Sequence, residues 1–146
     1  MTSEAAAEVI RDALGAAMTG DGNRAADLIA QLGMDSDAAR MLGVCYAIAE
    51  AGHKALRVCF GDAAPDPANG DAWVIEQLED GALDDPVQAF ATRFLIAYCN
   101  GDRIDAQAHY EAALQAGPEV FVHGVCQLLI DVAGLANAAS ELEQQE

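Results

Sequence analysis

Apolar side chains recur at intervals of three and four along almost the whole of this chain, and the runs are closed at their ends by Gly, Pro, Asp and Ser. That spacing puts the apolar residues on one face of an α-helix and leaves no segment that reads as a strand. "DAARMLGVCYAIAEA", residues 37–51, is the clearest case: Ala38, Met41, Leu42, Cys45, Tyr46 and Ala49 form one broad apolar face. Apolar residues make up 53% of the chain and aromatics only 5%, so the interior must come from closely approaching helices more than from large rings. With 146 residues, the chain is of the right size for one domain that needs no disulfide or metal staple. Residues 1–146 therefore read as a single all-α domain, an antiparallel helix-hairpin array or bundle of about 7–9 helices.

The boundaries follow from caps and breakers. Ser3 can cap a first helix that runs to about Met18, and "TGDGN" stops it and offers Asp21 or Asn23 as the next cap. A second helix ends near Leu32, before Gly33, and Asp35 and Ser36 can cap the third. Gly52 is expected to interrupt that third helix, with "HKALRVCF" as a short fourth helix or a bent continuation. "GDAAPDPANGD", residues 61–71, is the one long loop, and "DAWVIEQLED", which holds the only tryptophan, reads as a short helix closed by Gly81. Asp85 as cap and Pro86 in the first turn open the next helix, whose buried face is Val87, Phe90, Ala91, Phe94, Leu95 and Tyr98. Asp102 caps a helix to about Ala116. The stretch "EVFVHGVCQLLIDVAG" is apolar nearly all round and should be central, and residues 141–146 read as a frayed tail.

Seven Lys and Arg stand against 24 Asp and Glu, a formal charge of −17 that repels nucleic acid and anionic membrane surfaces. A solvated acidic surface is the simplest reading, and such a surface can also attract a basic partner. The opening stretch "MTSEAAAEVIRDALG" has neither a basic start nor a long apolar core, so no signal peptide or membrane span is expected and the cytoplasm is the default compartment. Cys45, Cys59, Cys99 and Cys126 are widely spaced in apolar helical stretches, where reduced thiols act as small hydrophobes.

"NGDRIDAQAHYEAALQAGPE", residues 100–119, sets a Gly-Asp pair, a small Ala, a Tyr, an Ala-Leu pair and a Pro at fixed intervals. With Phe90 in the preceding helix, Gly101 and Asp102 at the turn, Ala106 at the helix crossing, then Tyr110, Ala113, Leu114 and Pro118, residues 87–119 resemble one tetratricopeptide repeat. The chain departs from that pattern at Phe94, where the family has a small Gly. A weaker copy lies upstream: Gly20-Asp21, Ala25 and "GVC" at 43–45 each stand 81 residues before Gly101-Asp102, Ala106 and "GVC" at 124–126. The resemblance implies a binding module with a groove lined by the first helix of each pair, here Gln88, Ala91, Leu95, Tyr98 and Cys99. Those positions lack the Lys, Arg and Asn with which some members grip a peptide carboxylate.

Catalytic readings are weaker. His123 and Cys126 sit three apart on one helix face, the spacing of two metal ligands or a Cys/His pair, but no CxxC accompanies them and His53 and His109 have no positional link to them. Core packing is the favoured reading. Glu76, Glu79 and Asp80, or Asp84 and Asp85, offer paired carboxylates in contexts that cap and solvate, and Arg93 reads either as a stem lying along the surface or as a partly buried charge paired to a carboxylate. The sequence thus points to a non-enzymatic protein–protein interaction module without a cofactor or metal, whose partner is a protein, a basic one or a second copy. The other two readings are a small helical enzyme or ligand-binding bundle and an acidic DNA mimic.

Overall fold

The computed structural model describes residues 1–74 and 82–145, and among them the regular structure is helical throughout. Six α-helices are present: α1 (Ser3–Met18), α2 (Gly22–Met34), α3 (Ala38–Phe60), α4 (Pro86–Cys99), α5 (Arg103–Gln115) and α6 (Pro118–Gln144). Short 3-10 turns lie at Gly61–Ala63, Pro67–Asn69 and Ala82–Asp84. The expected seven to nine helices are too many for the described residues. One cause is Gly52, which does not interrupt α3: a Cβ there would sit 2.8 Å from Val132 Cγ2 and 3.1 Å from Leu95 Cδ1, so the glycine admits neighbouring helices and breaks nothing. The expected helix at 71–80 is not present at Asp71–Val74, and its remainder lies outside the described residues. Residues 141–144, expected as tail, continue α6.

Side-chain caps set most helix starts. Thr2 takes the place expected of Ser3, accepting from the Ala5 N–H at 3.1 Å, and Asp37, rather than Asp35 or Ser36, accepts from Arg40 N–H at 2.8 Å. Asp85 accepts from the Val87 N–H at 3.0 Å and Pro86 occupies the first turn of α4, where its missing donor goes unneeded.

The 81-residue spacing of the sequence is reproduced in the backbone. Asp21 accepts from Arg24 N–H at 3.2 Å, and Asp102 accepts from Asp105 N–H at 2.9 Å. Asp21 N–H donates to Ala16 O at 2.8 Å, and Asp102 N–H donates to Ala97 O at 2.9 Å. Gly20 and Gly101 hold φ of 85° and 73°, the left-handed conformation that lets each hairpin turn tightly. Ala25 and Ala106 are both buried where the paired helices meet. The chain is thus two three-helix units, α1–α2–α3 and α4–α5–α6, in the same register.

The units pack reciprocally in part. α1 lies on α6 as α4 lies on α3, and α3 lies on α6, whereas α2 and α5 both pack on α6, so the correspondence holds for the first and third helices of each unit and not for the second. Val125, Leu128, Leu129 and Val132 of α6 are buried, and α6 touches all five other helices. By length and composition α6 is also the one helix among the described residues long and apolar enough to cross a membrane. In this fold its buried face is spent on the core.

Candidate functional site

The groove expected from the first-helix positions of the repeat is closed by the chain itself. Ala91 is 1% and Leu95 7% exposed, covered as α4 packs on α3 and α6, and Cys99 is buried beside them. Gln88 is half-buried and donates to Thr92 Oγ1 at 2.9 Å and to Asp131 Oδ2 of α6 at 3.1 Å. Tyr98 and its neighbour Cys99 are the residues of the set that line an open cavity, where the Tyr98 hydroxyl donates to Glu50. Burial and the Glu50 carboxylate push the Tyr98 phenol up to about 12, so it stays protonated.

The other sequence candidates are dispersed. His123 is exposed and Cys126 half-buried on α6, and among the described residues no group of three His, Cys, Asp or Glu side chains is placed to hold a metal. His109 Nε2 lies 3.3 Å from Asp105 Oδ2 one turn earlier on α5. Arg93 is exposed, as expected of a surface stem. Glu76, Glu79 and Asp80 lie outside the described residues. Cys45 and Cys99 are free thiols whose burial pushes each up to about 12, which holds them as un-ionised hydrophobes and takes them out of nucleophilic chemistry.

A strongly apolar concavity lies elsewhere, at the junction of the two units. It is a groove of about 440 Å³ between the C-terminal ends of α2 and α5 and the N-terminal ends of α3 and α6. Each wall repeats the other at the 81-residue spacing: Ile29 and Tyr110, Gly33 and Leu114, Met41 and Val122 are counterpart pairs, and both members of each line the groove. The groove therefore lies where the two units abut. Tyr110 closes its floor by donating its hydroxyl to Ala38 O at 2.6 Å across the unit boundary, and its ring meets Phe121 edge-on with centroids 5.5 Å apart. At the rim Met34 is 87%, Val122 42% and Leu114 38% exposed. Asp37 lines the same groove, and Asp35 and Glu119, exposed, are sequence neighbours of its rim.

Reasoning from sequence missed this groove. Its residues come from four helix ends, each of which reads locally as an ordinary amphipathic terminus, and only the packing of the units assembles them. The 81-residue offset was the available signal, since counterpart residues at that spacing line the groove from both sides. Comparison with known families and proteins returns no match: no family model, no curated protein and no solved structure is similar to this chain.

Proposed function

We propose that the protein is a non-enzymatic interaction module, acting in the cytoplasm, that takes an apolar segment with basic flanks from a partner protein into the groove at the unit junction. The observation that carries the reading is the rim of Met34, Leu114 and Val122, large apolar side chains left exposed around a concave apolar floor. A volume of about 440 Å³ suits a few apolar side chains of an amphipathic helix, and unbranched Met side chains at the wall adapt to varied shapes. Charge supports a basic flank: the chain carries −17, and Asp35, Asp37 and Glu119 stand at or beside the groove. The same charge opposes nucleic acid as the partner. In this reading the α1–α2 and α4–α5 hairpins are tetratricopeptide-like units, and the partner binds where they abut, away from the buried face of the first helices.

The test uses a Leu/Lys amphipathic helical peptide and a scrambled peptide of the same composition, titrated against the protein with binding mapped by amide chemical shifts. Binding should favour the amphipathic peptide, shift residues around Met41 and Val122, and weaken about tenfold or more in Val122→Asp. Raising salt should weaken it only in part, because exposed charges are screened while apolar contact is kept. Equal binding of the scrambled peptide, or no effect of Val122→Asp, would show that the contact is charge alone and that the groove plays no part.

A further inference from the structure

A second cavity, of about 750 Å³, opens between the C-terminal half of α3, the loop after it and the α4–α5 corner. Glu50, His53 and Arg57 line it from α3, and Tyr98 and Arg103 line it from the corner. The Arg103 guanidinium carbon stands 4.5 Å from the Tyr46 ring centroid and 4.7 Å from that of Tyr98. Stacking of this kind fixes the guanidinium plane and leaves its N–H edge available for a planar oxyanion. Across the cavity the His53 ring meets Tyr98 edge-on at 6.4 Å and Trp73 at 6.3 Å. Trp73 is itself pinned to the corner: its N–H donates to Asn100 Oδ1 at 2.6 Å, and Asn100 Nδ2 donates to Trp73 O at 3.0 Å.

The counterpart junction, where α1–α2 meets α6, offers a comparison for what the scaffold requires at this place. At the 81-residue spacing, Tyr98 corresponds to Ala17, Arg103 to Gly22, His53 to Gly134 and Arg57 to Ala138. The corresponding corner, α1–α2 against α6, is built and packed with those small residues, and Asn137 Nδ2 donates there to Met18 O at 3.1 Å. Four positions that are Ala or Gly at that junction thus carry two guanidinium groups, an imidazole and a phenol at this one, two from each unit. The counterpart corner is made without such side chains, with α2 packed on α6, whereas here α5 stands off α3 and the cavity lies between them.

The placement of the cations indicates the ligand. In a chain with seven Lys and Arg, two of them line this one cavity together with a histidine, and Lys54 adjoins it in sequence. Glu50 and Asp66 also line the cavity and keep their charge, and their oxygens are turned to neutral donors: Glu50 accepts from Tyr98, and Asp66 accepts from Ala68 N–H at 3.1 Å and Asn69 Nδ2 at 2.9 Å. Among the described residues the single pair within ion-pair distance is His109 with Asp105, so neither Arg57 nor Arg103 is neutralised there by a carboxylate.

We propose that this cavity is a binding site for a small organic oxyanion, a carboxylate or phosphate carried on a planar or apolar body. Arg57 and Arg103 take the oxyanion, with the stacked Arg103 offering a bidentate edge, while His53 and Tyr98 face the body. The site is independent of the apolar groove, which is lined by other residues.

The experiment titrates the intact protein with benzoate, phenyl phosphate and inorganic phosphate at constant ionic strength. The readouts are the fluorescence of Trp73, the only tryptophan, and calorimetry. The account expects saturable binding of benzoate or phenyl phosphate, and the tighter of the two identifies the oxyanion. Saturation by inorganic phosphate as tight as by phenyl phosphate would contradict a contact with the body. Arg57→Ala and Arg103→Ala should each weaken binding about tenfold or more, and Arg103→Lys should recover part of the loss by keeping the charge. Arg24→Ala, at the counterpart corner, and Val122→Asp, in the groove, should change nothing. Circular dichroism of each variant separates loss of binding from loss of fold. Absence of saturation with all three probes, or equal affinity in folded Arg57→Ala and Arg103→Ala, would overturn the proposal.

Discussion

The two units, residues 3–60 and 86–144, reach the same backbone with differently sized side chains. Ala13 and Phe94 are counterparts and both are fully buried; Ile29 answers to Tyr110, and Leu32 to Ala113, again all buried. Where one unit is small the other can be large, because the units share one core and it is the total volume that must be filled. The hairpin corners are not exchangeable in this way. Each has a left-handed Gly, an Asp cap and a buried Ala at the crossing, since a tight turn and a close approach of backbones admit few residue types. The corners set the fold, and the core positions between them are free to diverge.

The largest effect expected is from alkali. Burial raises Cys45, Cys99 and Tyr98 to about 12 and also pushes up Tyr110 and Cys126. While both the folded and the unfolded chain hold these protons, stability does not depend on them. Above the ordinary values of 9.0 for thiols and 10.0 for phenols the unfolded chain loses protons first, so stability falls as pH rises from about 9 through 12. Denaturant melts across that window should show a steep decline, most of it owed to the second unit, which holds four of the five groups. A flat profile to pH 12 would mean that the phenols and thiols are not buried as described.

Next in size is Phe94→Ala, which should cost about 3–5 kcal/mol in chemical unfolding, because it empties the large side of the Ala13/Phe94 pair with nothing opposite to fill the space. Ala25→Leu and Ala106→Leu should each cost about 1–3 kcal/mol by overpacking the hairpin crossing. Similar losses at the two sites would support equivalence of the corners, and a tolerated Leu at either would break it. The smallest and most discriminating pair is Gly43→Ala and Gly124→Ala. These glycines are counterparts, yet a Cβ at Gly43 meets nothing within 4 Å, while one at Gly124 sits 2.8 Å from Phe90 Cδ2. Gly43→Ala should therefore stabilise by about 0.5–1 kcal/mol through helix propensity, and Gly124→Ala should destabilise. Equal signs would show that Phe90 is free to move aside.

What was legible in the sequence was what is local. Gly20-Asp21 and Gly101-Asp102 announce their turns, and Asp85-Pro86 its helix start, because caps depend on a few adjacent residues. Gly52 was misread because its role is tertiary: a glycine that lets Val132 and Leu95 approach looks, in one dimension, like a helix breaker. The groove drawn from the repeat resemblance fell on Ala91 and Leu95, which the pattern places on a first-helix face and α3 and α6 then cover. Tyr98 was on that same face for the wrong reason, and its partners Glu50 and Arg103 come from α3 and the start of α5, too far apart in sequence for spacing to join them.

The central claim is that one scaffold occurs twice and that the second corner carries side chains the scaffold does not need. The measurement that bears on it most directly is the unfolding free energy of the Arg57→Ala/Arg103→Ala double variant beside the parent. The account predicts a loss of no more than about 1–2 kcal/mol, the worth of two exposed cation–π contacts and little else, with the helical signal unchanged. A loss of about 4 kcal/mol or more would mean that the two arginines hold the corner together, and that the units differ in how they fold and not only in what they present.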